Sequence, residues 1–114
     1  MDFQHSDLAA GRWATMTLAQ QMLNIGSEIS RANRWKSKNN TVQCERAVFR
    51  ALELIDLTIT AQRGKHCLKE FTRMREVICD YFLGNNEWHS NGLMIQKDFD
   101  RFYYASKSVS KPTL

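Results

Sequence analysis

Five apolar residues in the first third of the chain, from Leu18 to Ala32, recur at alternating steps of four and three. This spacing brings all five to one side of an α-helix, because the helix repeats about every 3.6 residues. The whole chain contains one proline and five glycines, so few residues are present that would interrupt a long helix. The pattern therefore predicts a protein built from long helices.

Three further segments show the same helical spacing, and polar turns separate them. The predicted helices run from residue 8 or 11 to 36, and over 40–62, 66–83 and 93–105. Asn40 is the expected N-cap of the second helix, with Gln43 as its capping partner. Gly64 suits the C-terminal end of that helix, and Gly26 in the first helix suits a close helix crossing.

Short connections make consecutive helices antiparallel neighbours. The sequence therefore predicts an all-α fold, an up-down-up-down four-helix bundle that forms one domain over residues 1–114. We expect an ordered core over residues 8–105 and a flexible tail over 106–114, because the last residues are polar.

Charged residues lie among the apolar positions of the second and third predicted helices. Antiparallel pairing about Gly64 places each charge on the third helix opposite a charge of the other sign on the second. The predicted pairs of this charge ladder are Glu53 with Arg75, Asp56 with Arg73, Arg50 with Glu76, and Arg46 with Asp80. The same construction about the first turn places Glu28 near Arg50. Such pairs fix the register of two helices, so we interpret the ladder as structural.

A carboxylate metal site is the alternative interpretation of the ladder, since four of its members are acidic. Helical bundles that bind two metal ions combine glutamates with a Glu-x-x-His motif on two helices. Neither His66 nor His89 has a glutamate at that offset. We therefore predict no metal, no other cofactor and no catalytic residue.

A second charged group is basic and surrounds the first turn. Its members are Arg31, Arg34, Trp35, Lys36, Lys38, Arg46 and Arg50, and we call this set the basic end. One interpretation is a solvated helix terminus, where cations suit the negative end of the helix dipole. A second is a site for phosphates and a stacked base. A protein partner is a third, and the net charge of +4 permits each of them.

Residues 76–100 are mainly acidic, in contrast to the basic end. Segregated charge of this kind suits pairing between copies of one chain, so a homo-oligomer is expected. The loop at residues 84–92 contains Trp88, which we interpret as a lid on the core, and His89, which has no evident nucleophile beside it.

Three cysteines, Cys44, Cys67 and Cys79, lie within helical patterns, and their spacing suits small buried side chains. The sequence has no apolar run of about 20 residues. Its first residues lack the basic and apolar segments of a signal peptide. We therefore expect a cytoplasmic protein without a membrane partner.

The stretches NIGSEISRANRWK, RALELIDLTI and REVICDYF resemble small uncharacterised bacterial all-helical proteins. The expected architecture also resembles the HEPN bundles, which include ribonucleases, although Arg63 and His66 stand closer together than the arginine and histidine of that family's active site. A third resemblance is to the intervening-sequence and retroelement-accessory bundles, which form basic pentamers and bind nucleic acid.

Three hypotheses about function follow. The first is a non-enzymatic binding and assembly protein that self-associates. The second is a nucleic-acid-binding accessory protein that uses the basic end. The third is a ribonuclease of the HEPN type, which the resemblance implies and which would require a catalytic histidine.

Overall fold

A computed structural model describes residues 11–61 and 68–110, with side chains described as far as residue 105. Within these ranges the chain is all-α, with no strand, and forms one compact unit, as predicted. A 3-10 turn, Trp13–Thr15, precedes the first helix, and a π-helical turn, Cys79–Leu83, continues the third. The four helices are α1 (Leu18–Ser37), α2 (Thr41–Ala61), α3 (Leu68–Ile78) and α4 (Gly92–Ser110).

A capping box, and not an extended N-terminal helix, sets the beginning of α1. The Thr17 hydroxyl accepts a hydrogen bond from the Gln20 amide at 3.1 Å, and the Gln20 side chain accepts one from the Thr17 amide at 2.9 Å. This arrangement satisfies two amides that have no partner within the helix. The predicted beginning of the first helix at residue 8 or 11 was therefore wrong.

Trp13 lies before this cap and belongs to the core. Its side chain is buried, and its indole Nε1 donates a hydrogen bond to Thr58 Oγ1 of α2 at 3.0 Å. The Trp13 carbonyl accepts a second hydrogen bond, from the side chain of buried Gln21. The segment before α1 is thereby fixed to both α1 and α2.

The turn between α1 and α2 agrees with the prediction at its N-cap, although the Asn40 amide donates to the Trp35 carbonyl and not to the Gln43 side chain. Asn40 Oδ1 accepts a hydrogen bond from the Gln43 amide at 3.1 Å, so Asn40 is the N-cap of α2. Asn39 reverses the chain with a φ of 57°, a left-handed conformation that asparagine tolerates. The next predicted turn, around Gly64, lies outside the described residues, as do His66 and Cys67.

The core is formed by one face of α1, a wide arc of α2 and parts of the other helices. All five members of the α1 stripe are buried, as the spacing predicts. Leu23, which lies outside this stripe, is 53% exposed. Buried apolar residues of the other three helices are Cys44, Ala47, Val48, Ala51, Leu52, Leu54, Ile55, Phe71, Ile78, Ile95 and Phe99.

Helix α1 packs along both α2 and α4, whereas α3 packs mainly on α2. Gly26 lies at the α1–α4 crossing, where a Cβ atom would stand 3.3 Å from the Phe99 ring. The predicted close approach at this glycine is confirmed. Helix α4 extends to Ser110, beyond its predicted end at residue 105. The flexible tail over residues 106–114 stays a prediction.

Two contacts show that α3 and α4 are antiparallel. Near the C-terminal end of α1, Asn33 Nδ2 donates a hydrogen bond at 3.2 Å to the carbonyl of Gly92, where α4 begins. The Lys36 ammonium, one turn further along α1, lies over the ring of Tyr81, in the π-helical turn that continues α3. The end of α3 and the beginning of α4 therefore share one end of the molecule with the α1–α2 turn.

Candidate binding surfaces

The basic end is less basic than its sequence suggests, because a buried carboxylate neutralises part of it. Arg31 Nη1 lies 2.7 Å from Glu28 Oε1, and Arg50 Nε lies 2.8 Å from Glu28 Oε2. The Glu28 side chain is 9% exposed, so two guanidinium groups surround one nearly buried charge. The predicted contact between Glu28 and Arg50 is confirmed and joins α1 to α2, whereas the pair of Arg31 with Glu28 lies within α1.

Two lysines of the basic end rest on aromatic rings. The Lys36 ammonium lies 4.8 Å from the centre of the Tyr81 ring, and that of Lys38 lies 5.5 Å from the Trp35 ring. Both distances are within the range of cation–π attraction. Arg34 and Arg46 are exposed, and no ion pair joins them to a carboxylate within residues 11–61 and 68–105. Four cations therefore remain accessible at this end.

A polar groove runs between α1 and α4 next to these cations. Its volume is about 380 Å³, and Arg31, Arg34, Asp100 and Tyr103 contribute to its walls. Gln96 also lines it, and its side-chain oxygen is buried with no hydrogen-bond partner. The groove thus combines donors and an unused acceptor beside the basic end.

The loop after α3 is held in one shape by side chains. Both oxygens of Asp80 are engaged, since Oδ1 accepts a hydrogen bond from the amide of Glu87 and Oδ2 accepts one from Trp88, at 2.8 and 3.1 Å. Asn86 exchanges two hydrogen bonds with the backbone of Ser90. The loop is therefore braced, and it presents Trp88 to solvent with 51% of the residue exposed. The interpretation of Trp88 as a lid on the core was wrong.

Exposed apolar side chains surround this loop. Leu83, Leu93 and Met94 are between 40% and 65% exposed, and together with Trp88 they occupy one short segment of chain. Sequence reasoning assigned none of the three to a surface. Scattered exposed apolar residues are ordinary, but several in one segment suit a contact with another molecule.

The charge ladder between α2 and α3 has a different register from the predicted one. Arg75 donates hydrogen bonds to both oxygens of Asp56, with Nε–Oδ1 at 2.8 Å and Nη2–Oδ2 at 3.3 Å. The hydrogen bond to Asp56 raises the pKa of the Arg75 guanidinium above its ordinary value. Arg75 therefore pairs with Asp56 and not with the predicted Glu53. Arg73 lies on a different side of α3, because residues two apart in a helix do not share a face.

The other two predicted pairs are also corrected. Arg50 is engaged by Glu28 on the α1 side, and the Asp80 carboxylate caps the loop after α3. Within the described part of the chain, no ion pair joins Arg50 to Glu76 or Arg46 to Asp80. The contact of Arg50 with Glu28 was also predicted and excludes Glu76 as its partner, whereas the bonds from the loop amides to Asp80 were not predicted.

A cleft of about 410 Å³ separates α3 from α4. Half-buried Met74, Val77 and Phe102 form most of its floor, and Ile95 lies beneath them. Four exposed charged residues line its rim: Glu70 and Arg73 on α3, and Asp98 and Arg101 on α4. The sequence analysis assigned Asp98 and Arg101 to no site, although the i,i+3 spacing of an acid and a base was visible on each helix.

The described residues offer little to a metal ion. No group of three or more histidine, cysteine, aspartate or glutamate side chains comes together among them. Cys44 is buried and Cys79 half-buried, and both are free thiols. Burial raises the pKa of the Cys44 thiol, an effect that nearby Lys36 opposes.

Comparison with known proteins adds no assignment, since no protein family, no curated protein and no solved structure matches this chain. In the part of the chain that the structure describes, none of the helices has the length and apolar character needed to cross a bilayer.

Proposed function

We propose that the protein is a non-enzymatic binding and assembly module that associates with copies of itself. The observation that carries this proposal is the uncovered side between α3 and α4. The cleft on this side has an apolar floor and a volume of about 410 Å³. No other described element of the bundle covers it. Apolar surface left exposed in this way is stabilised by contact with another chain.

The exposed apolar residues around Trp88 support the same proposal. Tryptophan and methionine are enriched in protein interfaces, and a braced loop loses little conformational freedom when it binds. The loop is braced by Asp80 and Asn86, so the backbone that carries Trp88 is fixed before any partner binds. This second surface would allow an assembly larger than a dimer.

The test is the mass in solution, measured by light scattering over a range of concentrations at low and high salt. A mass that is a multiple of the chain mass, and that rises with concentration, is expected. A strictly monomeric protein at high concentration would refute the proposal. The ratio of absorbance at 260 and 280 nm on the same sample shows whether nucleic acid is bound.

A second candidate function is binding to nucleic acid through the basic end. The observation that favours it is the set of four accessible cations, Arg34, Lys36, Lys38 and Arg46, beside Trp35 and a polar groove. Phosphate contacts release counterions, so such binding weakens steeply as salt increases. We expect the Arg34→Glu, Lys38→Glu double variant to lose affinity for single-stranded RNA.

The control for that experiment is the Arg12→Glu, Lys69→Glu double variant, which changes the formal charge equally at exposed positions. Arg12 precedes Trp13, which is bonded to Thr58 near the end of α2, and Lys69 lies at the beginning of α3, so both are away from the basic end. RNA binding that both variants weaken to the same degree would contradict a site at the basic end. A ribonuclease of the HEPN type would depend on His66, which lies outside the described residues, or on His89. Cleavage that survives replacement of both by alanine would exclude it.

A further inference from the structure

The rim of the α3–α4 cleft has an ordered arrangement of charge. The rings of Phe71 and Phe102 have their centres 4.9 Å apart and so define one level across the two antiparallel helices. Glu70 and Arg101 lie near this level on opposite walls. One turn further toward the end of α3, Arg73 lies opposite Asp98. Each level therefore carries one acid and one base, and the sign alternates along each wall.

These opposite charges face each other without closing the cleft. Among the described rim residues, Arg101 and Asp98 form an ion pair at 3.7 Å. This pair runs along α4 and does not cross the cleft, and both of its side chains are mostly exposed. Such a pair contributes little to stability. The charges of the rim are therefore accessible to a second molecule, and the apolar floor between them is accessible as well.

A pattern that alternates in both directions is complementary to itself. If a second copy faces the cleft with its two-fold axis along the helices, α3 of one copy meets α4 of the other. Arg73 then meets Asp98, and Glu70 meets Arg101. If the two-fold axis runs across the helices, each wall meets its own equivalent in reverse, and Glu70 meets Arg73 while Asp98 meets Arg101. Opposite charges meet in both cases.

We infer that the α3–α4 cleft is the surface through which two copies of this chain associate about a two-fold axis, with the apolar floors in contact and the four rim charges paired between copies. The inference rests on the proposed function of self-association. A two-fold contact uses the same patch on both copies, which is what a self-complementary surface requires. The charges supply orientation, and the floor supplies most of the attraction.

The experiment uses two charge variants of the full chain. The acidic variant carries Arg73→Glu and Arg101→Glu, so its rim is entirely negative. The basic variant carries Glu70→Arg and Asp98→Arg, so its rim is entirely positive. All four positions are exposed, and the helix content and unfolding temperature of each variant are measured first to establish that it folds.

Each variant alone is expected to self-associate at least about a hundredfold more weakly than the original chain, because like charges then meet across the interface and repel each other. An equimolar mixture of the two is expected to regain association, as a heterodimer seen by native mass spectrometry. Rescue in the mixture distinguishes contacts between copies from charge effects inside one chain. The Arg12→Glu, Lys97→Glu variant matches the charge change of the acidic variant at two exposed positions that do not line the cleft, and it is expected to keep its oligomeric mass.

The outcomes separate this inference from the proposed function. A monomeric original chain would overturn both. An oligomer that persists in both variants, or a mixture that does not associate, would overturn the assignment of the cleft and leave self-association standing. Association in that case would have to use another surface, such as the one around Trp88.

Discussion

Replacing Glu28 by glutamine tests how much a nearly buried charge contributes to the packing of α1 on α2. The substitution keeps the shape of the side chain but removes the charge that Arg31 and Arg50 share. The glutamine amide also brings N–H donors against a guanidinium that has only donors. Arg50, whose side chain is 23% exposed, is left without a countercharge.

The expected magnitude follows from the burial of the pair. Two unit charges at about 4 Å attract by roughly 4 kcal/mol at an effective dielectric constant of about 20, and desolvation offsets part of that attraction. We therefore expect a coupling free energy between Glu28 and Arg50 of about 1–2 kcal/mol. The Asp56–Arg75 pair has similar distances, but its side chains are 46% and 40% exposed. Its coupling is expected to be below about 1 kcal/mol.

The assay is a pair of double-mutant cycles measured by urea unfolding and helix circular dichroism. One cycle combines Glu28→Gln with Arg50→Gln, and the other combines Asp56→Asn with Arg75→Gln. Both are repeated at roughly 1 M salt, where exposed charges are strongly screened. The reasoning is refuted if the Glu28 coupling is no larger than that of the exposed pair, or if salt removes it to the same degree.

Three further predictions concern single side chains. Gly92→Ala is expected to lower the free energy of unfolding by about 0.5–1.5 kcal/mol, because the new Cβ would lie 2.5 Å from Asn33 Oδ1 and would turn the Asn33 amide away from the Gly92 carbonyl. In an Asn33→Ala background that hydrogen bond is already absent, so Gly92→Ala should cost little in thermal unfolding; an equal cost in both backgrounds would contradict this. Asp80→Ala is expected to speed hydrogen exchange at the Trp88 amide while helix content stays constant, and unchanged exchange would show that the loop is braced otherwise. Burial raises the pKa of the Cys44 thiol, so the folded protein favours the protonated thiol. The stability that this preference contributes is fully present below the ordinary thiol pKa of 9.0 and is lost as pH rises through the higher pKa of the folded state. In a variant whose other cysteines are serine, labelling of Cys44 should remain slow at neutral pH, and rapid labelling would contradict its burial.

Local sequence signals predicted the helices well wherever one pattern dominates. The α1 stripe from Leu18 to Ala32 was correct at every position. In a helix with one buried face, the apolar spacing alone determines which residues point into the core. The cap at Asn40 was correct for a similar reason, since a capping side chain acts within its own turn. The capping box at Thr17 was equally visible in the sequence and was overlooked, because apolar residues continue upstream of it.

Contacts between helices were predicted less well, because they depend on how each helix is rotated about its own axis as well as on the order of the helices in the chain. The pairing of Glu28 with Arg50 was correct across a short turn of known length. The ladder between α2 and α3 was wrong in register, since its construction treated all charges on α3 as if they shared one face. The rim of the α3–α4 cleft was not predicted, because α3 and α4 are joined by a long loop whose geometry Asp80 determines.

The attachment of α4 to α1 has a consequence for the cleft. Phe99 sits against Gly26, and Asn33 holds the carbonyl of Gly92, so α4 contacts α1 at two separate levels and can neither slide nor rotate on it without losing one contact. Helix α3 has no comparable attachment to α1 among the described residues. It packs on α2, and this contact includes the exposed Asp56–Arg75 pair. The α4 wall is thus fixed, and the width of the cleft depends on how α3 lies on α2. We therefore expect a molecule that enters the cleft to displace α3 rather than α4.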